Sequence, residues 1–405
     1  MKRILLALLS CIAGASFAFG QTTHLKGFTT ALPPHHMAPK KSAAARLAPV
    51  ISVTPLIPNK SFDYTITASP ALGGGVFTGT ILGRNPLLRG KTTTTIPTPI
   101  IPLVITIDDG TTTVTYDPTA PDACIPGSPT DISVITASPV FQNTPWTING
   151  VPIGTTQYVD AFQRAQFGLQ GTGYHLVLNP SVLGGQTLHF TGAANGANIF
   201  VAGMCGSVGI VNINTLDTIV QGLITGPLAG LVNAGAFPLF FTKNVVESES
   251  GVSVAGCCVL GYHSGLFVGP NLQIYGLFAI DSTGVFPTGY TTTISHEIAE
   301  GINDPTVNNL TPQWGNIGQT VGLCQNNLEV GDPLSPGFGT PSNAFSVVGG
   351  NGLTYSMQEM AYYSWFFGTT GLGVGAGGSG AFSNNGTFHH TAVLCPPGTP
   401  TGGPF

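Results

Sequence analysis

The chain has 405 residues, and only 7% are charged, 12 Lys+Arg against 17 Asp+Glu; an ordinary soluble domain carries about 25%. With 42% apolar residues and a formal net charge of −5, it is not a charge-rich disordered chain, and it lacks the basic footprint of a nucleic-acid binder. The charge is also unevenly placed: the last base is Lys243, and residues 244–405 hold nine acids with no Lys or Arg.

Residues 1–20 read as a secretory signal peptide. Lys2 and Arg3 form the positive start, Ile4 to Leu9 begin an apolar run, and Ala18-Phe19-Gly20 supplies small residues for cleavage before Gln21. Cys11 leaves a lipoprotein start as the alternative. Residues 21–50 are basic and rich in Pro, Ala and Thr, and read as a flexible prefix or pro-segment. His35-His36 within it is expected to be an incidental solvated pair. Residues 51–135 read as a β-rich segment: Ser61–Ser69 alternates, Pro102–Asp108 is β-branched, and Asp109-Gly110 offers a hairpin turn before Thr111–Tyr116.

Residues 136–405 read as a larger α+β domain with a Gly-rich C-terminal tail. Helices are expected over Thr156–Phe167, over Asn214–Ile224 with Asn214 or Thr215 as cap, over Thr292–Asn303, and over Ser356–Phe366. Strands are expected over Tyr174–Leu178, Cys258–His263 and Leu272–Ile280. His175 and His189 read as strand residues without acidic company. No stretch is apolar for long enough to span a membrane.

Beyond the leader lie six cysteines, Cys124, Cys205, Cys257, Cys258, Cys324 and Cys395. An even number in an exported chain implies up to three disulfides, with fifteen possible pairings. Cys257 and Cys258 are expected to bond to different partners, because a vicinal bridge needs unusual backbone geometry.

The third expected helix carries the chemistry. Ile294, Ile298 and Ile302 form its apolar stripe, and His296 and Glu300 stand one turn apart on the opposite side. That is the spacing with which H-E-x-x-H helices hold zinc, with Glu in place of the second His. Glu297 occupies the place of a general base. The competing reading is a solvated face with a His–Glu pair. Pro305 ends the helix near Asn303, so Asp304 either starts an Asx turn or faces a cation. His263 is a second candidate, as ligand, substrate contact or plain strand-end histidine, and His389-His390 a remote one.

Glu329 and Asp332 resemble, in order and spacing, the third zinc ligand and the supporting Asp of gluzincin-type metallopeptidases. Two departures stand out: Glu300 replaces a histidine, and Gly331-Asp332-Pro333 disfavours a continuous helix. The ligand set His296, Glu300, Glu329, with Asp304 as the alternative third, is oxygen-rich. Zinc is expected, with calcium or manganese as alternatives.

Gly261-Tyr262-His263-Ser264, then a strand, then Ser295-His296-Glu297-Ile298-Ala299-Glu300 with Asp304-Pro305, then Trp314 and an acidic Cys/Asn segment, resemble the Exordium / phosphate-induced protein family and its secreted bacterial relatives. The resemblance covers about residues 257–335. It implies an extracellular or wall-associated protein with a shared site. The expectation is a secreted, periplasmic or extracellular α+β protein with a zincin-like mixed α/β domain. It would act as a metal-dependent hydrolase, in the first place a peptidase, on a polypeptide or cell-wall substrate. Glu297 is the base, and Asp332 and His263 are supporting groups. The alternative is a non-catalytic wall-associated binding protein with a structural cation.

Overall fold

A computed structural model describes residues 61–88, 93–249, 251–254, 257–269, 271–286, 289–315, 324–334, 343–373, 375–376, 380–383 and 393–395. The leader, the basic prefix with His35-His36, and His389-His390 lie outside the described residues.

The chain opens with an antiparallel pair, β1 (Ser61–Thr67) and β2 (Val76–Leu82). Next come β3 (Thr93–Asp108) and β4 (Thr113–Tyr116), the hairpin expected around Asp109-Gly110. Asp109 closes that turn by accepting hydrogen bonds from the Thr111 and Thr112 N–H groups. Helix α1 (Asp131–Thr136) follows, capped by the Thr130 side chain, then the hairpin β5 (Thr144–Ile148) and β6 (Val151–Thr156). Helix α2 (Tyr158–Gln166) leads to β7 (His175–Val182), β8 (Gln186–Thr191), β9 (Gly196–Phe200) and β10 (Ser207–Asn212). Helix α3 (Ile213–Thr225) starts one residue beyond β10, so its cap is Asn212 rather than Asn214 or Thr215. Then come β11 (Leu239–Lys243), β12 (Val245–Ser248), β13 (Cys257–Val259), β14 (Gly261–Val268) and β15 (Asn271–Ile280).

Helix α4 covers Thr292–Asn303, the expected span. After it lie β16 (Leu310–Gly315), β17 (Gln325–Asn327), β18 (Ala344–Val348), β19 (Thr354–Gln358), β20 (Met360–Ala361) and α5 (Tyr363–Phe367). The helix expected over Ser356–Phe366 is therefore mostly absent. Its first part is strand, because Thr354–Gln358 pairs with Ala344–Val348, and only its end is helical.

The class is α+β, as expected. The main sheet has seven strands in the order β14-β15-β11-β3-β4, with β7 and β8 also paired to β3. Long β3 serves β7 with its first half and β8 with its second, both parallel. The β-rich segment 51–135 thus supplies the central strand β3 and its hairpin partner β4 to a sheet whose other five members come from 136–405. A second sheet of order β13-β12-β10-β9 lies beside it.

Alternation along the sheet sorts two cores. Phe241, Ile274, Phe278 and Ile280 face α2 and α4, whereas Phe240, Tyr262, Tyr275 and Leu277 face α3. On β14 this period-2 rule sends Tyr262 to the α3 side and His263 to the α4 side. Helix α4 is buried on every side, from Thr292 to Asn303. The solvated-face reading of this helix is therefore overturned. Gly301 lets the helix approach the sheet: a Cβ there would lie 2.7 Å from the Phe237 ring and 3.4 Å from His263 Cβ.

Three disulfides are present: Cys124–Cys205, Cys324–Cys395 and Cys257–Cys258. The last corrects the expectation that the adjacent cysteines take different partners. No described helix is long and apolar enough to cross a membrane.

Candidate metal centre

The centre is built on one face of α4. His296, Glu297 and Glu300 point from the helix, His263 comes from β14, and Glu329 and Asp332 come from the loop after β17. All six are at most 1% exposed. Glu329 sits on no later helix, so the gluzincin-like support is missing. A loop does that work: the Val330 carbonyl accepts from the Ala361 N–H of β20, and Asp332 begins a single 3-10 turn to Leu334.

Glu300 is the hub. Its Oε1 accepts hydrogen bonds from the Gly331 and Asp332 N–H groups at 3.0 and 3.2 Å. Its Oε2 lies 3.0 Å from His296 Nε2 and 4.0 Å from His263 Nδ1. His296 Nε2 is also 3.5 Å from Asp332 Oδ1. His263 Nδ1 contacts Glu297 Oε2 at 3.1 Å, and its Nε2 contacts the Asp304 carbonyl oxygen at 3.1 Å and Glu329 Oε2 at 3.9 Å. Asn327 Nδ2 donates to Glu329 Oε1 at 2.9 Å, which fixes that carboxylate.

Two sets of side chains present donor atoms close enough to hold a cation: His263, Glu300 and Glu329, and His296, Glu300 and Asp332. The expected set mixed the two. Glu329 keeps company with His263 rather than His296, and Asp332 stands beside His296 as a donor in its own right. Asp304 belongs to neither set. Its Oδ1 accepts from the Asn308 and Asn309 N–H groups at 2.9 and 3.0 Å, four and five residues on, closing a loop behind α4 that is wider than an Asx turn. Trp314 is buried and donates to the Asn327 carbonyl, supporting the strand that leads to Glu329.

The electrostatics are those of a crowded anionic site. Burial raises the Glu297 pKa to about 7, against the lowering contacts of His263 and His296. Asp332 is likewise raised to about 7 by burial and by Glu300. Asp304 reaches about 7 through burial, which outweighs its loop hydrogen bonds. Glu329 is pushed well above the carboxylate range by burial and then by Glu300 and Asp304. Burial pulls His296 down, but Glu300, Asp332 and Glu297 outweigh it and lift its pKa to about 10. Among the described residues no Lys or Arg pairs with these acids. The last base, Lys243, is engaged with Asp122 and Asp131 at 3.1 and 3.5 Å. Glu297 Oε1 and Glu329 Oε2 are buried without a hydrogen-bond partner among the described residues. These residues suit a hard or borderline divalent cation, which would supply the missing positive charge.

Sequence reasoning missed the two N–H groups that pin Glu300, since backbone donors leave no mark in a sequence. It also missed that His175 Nδ1 meets buried Asp160 Oδ2 at 2.8 Å, a partner fifteen residues upstream. Set against protein-family models, curated proteins and solved structures, the chain gives no match.

Proposed function

We propose that the chain is an exported, zincin-like, metal-dependent hydrolase whose α4 centre holds the cation. The observation that carries the reading is the burial of Glu297, Glu300, Asp304, Glu329 and Asp332 beside two imidazoles, with no Lys or Arg paired to them among the described residues. Unneutralised buried carboxylates are costly. A divalent ion supplies Lewis acidity and lowers the pKa of water. His296 and Glu300 are its first ligands. Glu297 is held through Oε2 by His263, which leaves Oε1 to take a proton from water. Its pKa near 7 suits a base working at neutral pH.

The substrate class proposed is a polypeptide or a cell-wall polymer. The disulfides fit an oxidising compartment, and the leader-like start and the resemblance to the Exordium family support export. Zinc is the first choice, with calcium or manganese favoured by the oxygen-rich donors.

Elemental analysis of the mature protein, paired with hydrolysis assays on peptide mixtures and wall polymer, tests this. Glu297→Gln is expected to keep the metal and lose hydrolysis by about 10²–10⁴-fold. A wild type without metal and without activity overturns the reading. One observation favours a second reading, a structural cation in a non-catalytic wall-associated protein: every donor is at most 1% exposed. Metal that raises stability, with wild type and Glu297→Gln equally inert, selects that reading.

A further inference from the structure

Resting on the metal reading above, we infer that the centre takes two divalent cations that share Glu300. The donors divide into two sets, and Glu300 is the member common to both. Its Oε1 is tied to the Gly331 and Asp332 N–H groups, so Oε2 alone faces inward, between His296 Nε2 and His263 Nδ1. A carboxylate pinned at one oxygen and flanked by an imidazole on each side is placed to bridge.

Each flank is complete enough to hold an ion. On one side stand His296 and Asp332, 3.5 Å apart; on the other stand His263 and Glu329, 3.9 Å apart. Glu329 Oε2 is buried, aimed at His263, and has no hydrogen-bond partner among the described residues. Both His263 nitrogens have an acceptor at 3.1 Å, the Glu297 carboxylate and the Asp304 carbonyl. Metal-bound histidines hold one N–H on such an acceptor and turn the other nitrogen to the ion. With Nδ1–H on Glu297, as above, Nε2 is the nitrogen turned toward Glu329 and the ion.

Charge points the same way. Four buried carboxylates, Glu297, Glu300, Glu329 and Asp332, contact the two imidazoles. With all four ionised and the histidines neutral, one divalent ion compensates half of that negative charge, whereas two balance it. Paired ions of this kind sit about 3.5–4 Å apart and clamp both oxygens of a displacement.

The test loads the mature, chelator-stripped protein with Mn²⁺ alone. Manganese per chain is read by elemental analysis, and the paramagnetic resonance spectrum is followed through the titration. The expected result is two ions per chain, with an exchange-coupled signal that grows in as the second site fills. His263→Ala is expected to keep one ion and lose the coupled signal; a thermal melt checks that it folds. If it does not fold, the wild-type titration decides alone. One ion per chain overturns the two-ion inference and leaves the metal reading standing. Two uncoupled ions also overturn it, because Glu300 then bridges nothing. No ion overturns both.

Discussion

Gly331 shows how little room a single residue leaves in this centre. Its N–H holds Glu300 Oε1, and a Cβ built on it would lie 2.5 Å from His296 Nδ1 and 2.6 Å from Cε1. The imidazole cannot share that space with a methyl group. Gly331→Ala is therefore expected to turn His296 away from Glu300 and Asp332. Displacing such a support weakens a metal site by about 10–100-fold. Competition against a chelator measures this, and unchanged affinity would mean that His296 is not a ligand. The sequence shows His296, Glu297 and Glu300 because a helix turns spacing into a face. It does not show which loop acid meets which histidine, since that depends on β14 and the Glu329–Asp332 loop arriving from different directions. Hence spacing alone pairs Glu329 with His296 and leaves Asp332 a support, whereas the fold sets Glu329 beside His263 and Asp332 beside His296.

The same contrast holds for whole elements. Helix α4 was legible to the residue because Ile294, Ile298 and Ile302 repeat every fourth position and Pro305 stops the turn. The β3–β4 hairpin was legible from its turn chemistry. The Ser356–Phe366 segment misled, because its spacing of Met357, Met360 and Tyr363 suits a helix. The pairing of β19 with β18 is a long-range fact that decides otherwise. Burial of α4 on every side was equally hidden, since its polar residues look like a wet face. Inside the fold they have partners: Asn303 accepts from Gln166 Nε2 at 2.9 Å, and Ser295 accepts from the Gln358 N–H at 3.0 Å. A comparable contact ties α1 to β11. Lys243 Nζ meets Asp122 and Asp131, whose side chains are 2% and 0% exposed. Lys243→Met leaves both acids buried without their cation, a change expected to cost about 3 kcal/mol. A urea titration measures it. A loss well below that would mean that Asp131, whose pKa burial already lifts to about 7, is protonated and that Asp122 alone draws on the cation.

At the scale of the molecule, the centre sets how stability responds to pH. Glu297, Asp304 and Asp332 keep their protons up to about pH 7 in the fold, but only to about pH 4 in the unfolded chain. The fold then binds more protons than the unfolded chain across that window, so stability falls as pH rises through it. His296 acts in the same sense. Its pKa of about 10 against an unfolded value of about 6.5 gives stability that is full below the lower value and lost as pH climbs through the higher. The chelated protein should therefore be most stable in acid, with a Tm that declines from pH 4.5 to 8.5. A bound cation reverses this trend, because its ligands must be deprotonated and binding tightens with pH. With saturating metal the decline should flatten or invert. The gap between the two curves should open from nothing near pH 4.5 to its widest above pH 7. Asp131 titrates in the same range but belongs to the Lys243 cluster, so it contributes equally to both curves and drops out of the gap. Scanning calorimetry with chelator and with metal at four pH values gives the result directly. Curves that coincide at every pH would show that the acids around α4 are balanced by protons alone.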